Sequence, residues 1–309
     1  MGMRRRSNSG GNVLVYHKHG SPMVFFPRGI GEVLDLMERE ANAVLWAGGT
    51  EITCRSMRKE LIDLPKTVIS LSLVEELARA TRTEYGLEIG ATMTLERLSQ
   101  IGRNTLPTGL YEAVNNVGSL PLRNRATIGG HLALRARIGD LHPLLQLLDS
   151  KIEIRSPRRG GGKRGLVRKV PIALLEDKNF LDSRKLITKI SIPGNNWDIG
   201  FHRKISTGGD ESGVLIFTAL ASVKGGILSE CRMAFSDGYT GILRDRELEA
   251  YMAGQTLPLG HRELKTLDEA ILELTAPWKR RSYDRKTAMT CSRGFLKQAR
   301  NHSMGGMIF

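Results

Sequence analysis

Two glycine pairs, each met by an apolar run and flanked by a threonine, constrain this chain more than any other feature. The first lies in Leu45-Trp46-Ala47-Gly48-Gly49-Thr50-Glu51-Ile52 and the second in Ala126-Thr127-Ile128-Gly129-Gly130-His131-Leu132. Adjacent glycines let the backbone take left-handed or crowded angles, so successive N–H groups can point into one concave anion site, a geometry that suits a pyrophosphate. A plain turn uses the same residues equally well. Neither stretch reads G-x-G-x-x-G or G-x-x-x-x-G-K-[ST], so the two common nucleotide-binding fingerprints are absent. If both stretches hold phosphate, they must converge on one ligand.

A chain of 309 residues has room for two or three domains. No run approaches the roughly 18 apolar residues needed to span a bilayer. The start is basic, but His17, Lys18 and His19 interrupt the segment after it, so no secretory signal is expected and the location expected is cytoplasmic. Cys54, Cys231 and Cys291 are odd in number and far apart, which offers neither a disulfide framework nor a metal or iron–sulfur ligand set; buried, inert thiols are expected.

Net charge is +14, from 46 Lys and Arg against 32 Asp and Glu. The excess gathers at Arg4–Arg6, along Arg155–Arg164 and at Lys279–Arg281. Such runs are solvated loops, or they meet an acidic protein partner or nucleic acid. Aromatics make up only 6% of the chain and none interleaves with the basic runs, which disfavours nucleic acid.

Taken in order, residues 12–26 alternate as short strands and 32–40 carry apolar positions at helical spacing. The strand 43–46 follows, which sets the first glycine pair at a strand's carboxyl end, where α/β units bind ligands. Residues 52–61 read as helix or irregular, 64–71 as a buried strand, and 87–89 as a strand before a helix capped by Thr94. Further helices are expected at 110–117 and after Asp140, which is either a helix cap or an acceptor for a sugar hydroxyl. In Leu186–Pro193 the even positions form the buried face. Ile187 shares the other face with Lys189 and Ser191, as a scattered surface residue or as the contact of a flat apolar ligand. Past Pro193-Gly194-Asn195-Asn196 the character changes: strands over 213–223 and 229–236 flank a Gly225-Gly226 hairpin, and helices follow at 264–274 and 283–300. This half reads as an antiparallel sheet carrying helices.

With both glycine stretches in place, the chain resembles the FAD-binding (medium) subunits of molybdenum hydroxylases. That group contains carbon monoxide dehydrogenase, xanthine dehydrogenase, nicotinate dehydrogenase and 4-hydroxybenzoyl-CoA reductase. The matching pieces are Ala47–Ile52, Leu122–Gly130, Gly139–Pro143 and Leu186–Pro193, with further signals at Arg232–Phe235 and Tyr283–Arg285. They run over roughly residues 24 to 300, and the ordered set is specific where each motif alone is weak.

The resemblance implies an α+β chain: an N-terminal two-subdomain α/β FAD-binding (PCMH-type) region, then a C-terminal antiparallel sheet with helices. The expected divisions are a basic extension over 1–22, an FAD-binding domain over 23–193 with subdomains near 23–80 and 81–193, and a C-terminal domain over 197–302. The resemblance further implies that Leu45, Trp46, Ala47, Gly48, Gly49, Thr50, Glu51 and Ile52, with Thr127, Ile128, Gly129, Gly130 and His131, wrap the FAD pyrophosphate and ribityl chain. Asp140 would accept from a cofactor hydroxyl, Val117 would lie by the adenine end, Ile187 would pack on the isoalloxazine, and Lys204 would approach the flavin from the C-terminal domain. His131 stands where the family usually has asparagine, and the insertion carrying iron–sulfur cysteines in 4-hydroxybenzoyl-CoA reductase has no counterpart.

The implied function is electron transfer through FAD within a multi-subunit molybdenum oxidoreductase, between iron–sulfur clusters of one partner and an acceptor such as NAD, with a molybdopterin-binding large subunit as the other partner. No catalytic acid, base or nucleophile is assigned, because the chemistry is the cofactor's. The competing class is a basic, non-enzymatic protein that docks an acidic partner or nucleic acid.

Overall fold

The computed structural model describes residues 3–8, 11–16, 21–57, 65–134, 138–158, 165–177, 179–195, 197–206, 214–278 and 282–305. Its strands are β1 (Met3–Asn8), β2 (Gly11–Tyr16), β3 (Met23–Phe26), β4 (Val44–Trp46), β5 (Thr67–Ser70), β6 (Ala80–Thr83), β7 (Gly86–Gly90), β8 (Lys151–Ser156), β9 (Leu166–Pro171), β10 (Leu186–Pro193), β11 (Ile199–Ser206), β12 (Val214–Lys224), β13 (Ile227–Ser236) and β14 (Ile242–Leu243). Its α-helices are α1 (Ile30–Arg39), α2 (Thr50–Met57), α3 (Leu95–Gln100), α4 (Leu110–Asn115), α5 (Leu120–Arg123), α6 (Ile128–Leu132), α7 (His142–Leu147), α8 (Arg246–Met252), α9 (His261–Leu274) and α10 (Ser282–Gly305). The α+β class expected from the sequence is the class observed.

The chain clusters into two compact units. One gathers 1–100, 118–135 and 150–193; the other gathers 101–117, 136–149 and 194–309. Residues 101–117 and 136–149, which the sequence reading keeps with 23–193, therefore group with the C-terminal segment.

The first unit carries two five-stranded sheets, ordered β1-β2-β3-β5-β4 and β6-β7-β10-β8-β9. In the first sheet β3 and β4 both pair with β5 in parallel, with Leu45 opposite Ile69 and Trp46 opposite Ser70. The helix α1 packs Val33, Leu34 and Met37 against Ile69 and Leu71, which fits its apolar spacing. It begins at Ile30 rather than near 32, since Gly29 takes the extended cap and the carboxylates of Glu32 and Glu76 accept from the amides of Arg28 and Ile30, each at 2.8 Å. Residues 3–8 and 11–16, read as part of a basic extension, form a hairpin that continues the sheet through Leu14 opposite Phe26. The second sheet is antiparallel throughout. The basic runs at 159–164 and 279–281 lie outside the described residues.

In the second unit β11, β12, β13 and β14 form one antiparallel sheet in chain order. Strand alternation sends Phe217, Ala219, Cys231, Met233 and Phe235 into a core shared with Leu248, Leu267, Ile271 and Phe295 of the helices. Between them lies Arg232, which bonds the carbonyl of Leu147 at the end of α7, 2.5 Å away. The sheet thus holds α8, α9 and α10 on one face and α7 on the other. Cys231 and Cys291 are buried as expected, and burial pushes both thiols up; Cys54 in α2 is only half-buried.

Arg244 and Glu249 make a buried, two-pronged ion pair at 2.7 and 2.9 Å, and Glu249 also accepts from the amide of Met233. Arg244→Met is expected to cost about 3 kcal/mol in denaturant unfolding, because it takes away the closer of the two guanidinium groups that meet a buried carboxylate, Arg246 remaining 3.7 Å away, and a further Glu249→Leu change should recover part of that loss.

Candidate cofactor site

The strand β4 ends at Trp46, whose carbonyl accepts from the amide of Leu71 at 2.9 Å. The chain then bends through Ala47 and Gly48, Gly49 turns at φ 70°, and α2 starts at Thr50. The left-handed φ favours glycine, and a Cβ at Gly49 would also meet the Trp46 indole at 2.6 Å. The first intrahelical bond runs from the amide of Thr53 to the carbonyl of Gly49. The amides of residues 47–52 find no acceptor among the described residues. Half-buried and unspent, they form the positive end of a helix, where an anion is favoured.

The second glycine stretch is built differently. Thr127 caps α6 by accepting from the amide of Gly130 at 3.1 Å. The amide of Ile128 donates to Met93, that of Gly129 to Ala91 and that of His131 to Thr127, all at 2.8 to 2.9 Å. Every N–H from 128 to 131 is therefore satisfied within the chain. Gly129 sits so close to Ala91 that a Cβ would lie 2.7 Å from its carbonyl oxygen. Thr127, Ile128 and His131 are buried, and Gly130 is exposed.

The two stretches meet. A Cβ built on Gly48 would overlap the carbonyl oxygen of Arg125 and lie 2.8 Å from its carbon. The convergence expected of two phosphate-holding loops is present, but their amides are unequal: 47–52 are open and 128–131 are engaged.

Ile187 belongs to the same unit. It was expected on the polar face of its strand, yet it is buried together with Thr188, because a bulge between Ile187 and Lys189 breaks the alternation. Thr188, on the even face expected to be buried, donates to the carboxylate of Glu153 at 2.8 Å. The surface reading of Ile187 is thereby corrected.

Val117, Asp140 and Lys204 lie in the second unit. Val117 is buried just past α4. Asp140, 4% exposed, precedes Leu141, the N-cap residue of α7, and its Oδ2 meets the Lys204 ammonium at 2.5 Å. On the same face of β11 as Lys204, two residues earlier, lies His202, a residue to which the sequence reading gave no role. Its ring is 2% exposed, and neither nitrogen has a hydrogen-bond partner among the described residues. Leaving such atoms buried and unpaired costs about 1–3 kcal/mol each. Burial lowers its pKa to about 4, against a smaller upward pull from Asp140 and with downward pushes from Lys204 and Arg203.

Residues 17–195 match the family described as the FAD binding domain in molybdopterin dehydrogenase. The chain belongs to this family. Among its relatives, a xanthine dehydrogenase FAD-binding subunit of Escherichia coli O157:H7 is 26% identical over 258 residues, covering 80% of this chain and 84% of that one. Aldehyde oxidase 2 of Cavia porcellus is 30% identical over 147 residues, and there the chain spans 11% of the relative's length. The quinoline 2-oxidoreductase structure from Pseudomonas putida 86 shares the fold, with a TM-score of 0.74 over 90% of this chain and 96% of that one, at 19% identity.

The cofactor of this FAD-binding family fits what the first unit offers: a cradle where a Cβ would clash, and open amides at the start of an eight-residue helix. No helix among the described residues is long and apolar enough to cross a membrane.

Gly48→Ala must push the Arg125 carbonyl away, so a loss of about 1–3 kcal/mol in unfolding free energy is expected. His202 supplies a pH test. Its folded value of about 4 lies below the ordinary 6.5, so the neutral ring contributes stability that is complete above pH 6.5 and lost as pH falls towards 4. The loss amounts to about 3 kcal/mol. A melting midpoint that declines over that window, less steeply in His202→Leu, is the expected result.

Proposed function

We propose that this chain is the FAD-binding electron-transfer subunit of a molybdenum-containing oxidoreductase, assembled with an iron–sulfur subunit and a molybdopterin-binding large subunit, and passing electrons to an acceptor such as NAD. The observation that carries the reading is the seam between Gly48 and Arg125 beside the unspent amides of 47–52, in a family of FAD-binding domains. The subunit role is supported by the Escherichia coli relative, a xanthine dehydrogenase FAD-binding subunit matched over most of its length.

In this reading Leu45 to Ile52 hold the pyrophosphate, with the amides donating and the α2 N-terminus supplying positive potential. Thr127, Ile128, Gly129, Gly130 and His131 form the wall that fixes the first stretch, and Gly130 lies at its exposed edge. Asp140 accepts from a cofactor hydroxyl, Val117 lies by the adenine, Ile187 backs the isoalloxazine and Lys204 brings a cation towards it. FAD, when bound, takes electrons singly and releases them in pairs, which joins one-electron clusters to a two-electron acceptor. The chain's own work is to bind, orient and exclude water.

The purified chain reconstituted with FAD is expected to be yellow, with flavin bands in the near-ultraviolet and blue. Gly49→Val should lose the flavin, since a branched side chain at φ 70° meets Trp46 and distorts the open amides. A colourless reconstituted chain, or full flavin retention in Gly49→Val, would overturn the assignment.

A further inference from the structure

The bulge in β10 decides which way Ile187 faces. Ile187 stands opposite Ile154 and Lys189 opposite Glu153, so two steps along β10 match one along β8 and the alternation changes phase at Thr188. On an unbroken strand Ile187 and Lys189 would share a face. The phase change sets Ile187 beside Ile154 instead, and both are buried.

A bulged residue has no ladder partner, so other groups must hold it. Thr188 is held twice. Its carbonyl accepts from the amide of Ala91 at 3.0 Å. Its hydroxyl lies 2.8 Å from Oε1 of Glu153 and 3.3 Å from the main-chain oxygen of the same residue. Oε1 also accepts from Nε of Arg155 at 3.0 Å, while Lys189, across the ladder, spends its ammonium on Glu88 at 2.7 Å. Burial pushes the Glu153 carboxyl up, but the bonds from Thr188 and Arg155 and the charges of Arg155 and Lys189 outweigh it and hold its pKa below the ordinary carboxylate value. The ionised group is a steady acceptor for the Thr188 hydroxyl.

We propose that Glu153 is a positioning residue for the cofactor site: it grips the Thr188 hydroxyl, keeps the bulge in register and so holds Ile187 on the face it presents to the isoalloxazine. The service to the flavin rests on Ile187 backing the ring, as proposed; the grip on the bulge does not.

Thr188→Val removes the hydroxyl and keeps the branched shape, and Arg155 still satisfies the carboxylate, so the variant is expected to fold. Thr188→Ser and Glu153→Gln keep a donor and an acceptor in place. Methyl NMR on the purified full chain without FAD should show a cross-peak between Ile187 and Ile154 in the native chain, in Thr188→Ser and in Glu153→Gln. In Thr188→Val and Glu153→Leu it should be lost. A cross-peak retained in Thr188→Val, or lost in Thr188→Ser, would overturn the proposal. If Thr188→Val does not fold, Thr188→Ala takes its place. The FAD-reconstituted chain reads the consequence at the ring. There Thr188→Val should still bind FAD but blur the fine structure of the blue flavin band, as water reaches the ring, whereas Thr188→Ser should leave the band as in the native chain. An unchanged band together with a lost cross-peak would overturn the place of Ile187 at the ring, and with it the service to the cofactor, while the grip on the bulge stands.

Discussion

The approach of two backbones at Gly48 and Arg125 is the constraint on which the cofactor site depends. No side chain fits between them, since even a methyl group at Gly48 would overlap a carbonyl. That contact joins the end of β4 to the segment leading into α6, and so brings two stretches nearly eighty residues apart in sequence into one seam. Interiors pack at crystal-like density, so a single missing Cβ is enough to decide whether two segments can share a wall.

Within that seam the two glycine pairs divide the labour. The second pair is a scaffold: Gly129 lies against Ala91, and its neighbouring amides are bonded to Ala91, Met93 and Thr127. The first is the face left open, with the amides of 47–52 unspent at the start of α2. Unpaired backbone groups are costly in a dry interior and cheap where an anion can meet them, so half-burial at 45–52 is the compromise the cradle requires.

The second unit applies the same economy to side chains. Arg244 and Glu249 form a two-pronged pair that also takes in the amide of Met233, while Lys204 pairs with Asp140 from the strand face that also carries His202, whose ring nitrogens have no hydrogen-bond partner among the described residues. Unsatisfied buried groups are rare in folded proteins, and the two ring nitrogens of His202 are an instance here.

Residue type and spacing alone were enough to mark both glycine pairs, the β10 pattern, the hairpin at Gly225-Gly226 and the long C-terminal helices, because periodicity and turn chemistry are local properties. They also determined that any shared anion site had to draw on both pairs. Only the tertiary structure decided which pair keeps its amides free, since that depends on whether Ala91 and Met93 arrive to accept from them. It likewise decided that Ile187 turns inward, through a bulge no alternation rule foresees, and that 101–117 and 136–149 join the C-terminal sheet. His202 reads as one polar residue on a strand until burial removes its partners. Hydrogen bonding and desolvation belong to the assembled neighbourhood, and the order of residues along the chain does not contain them.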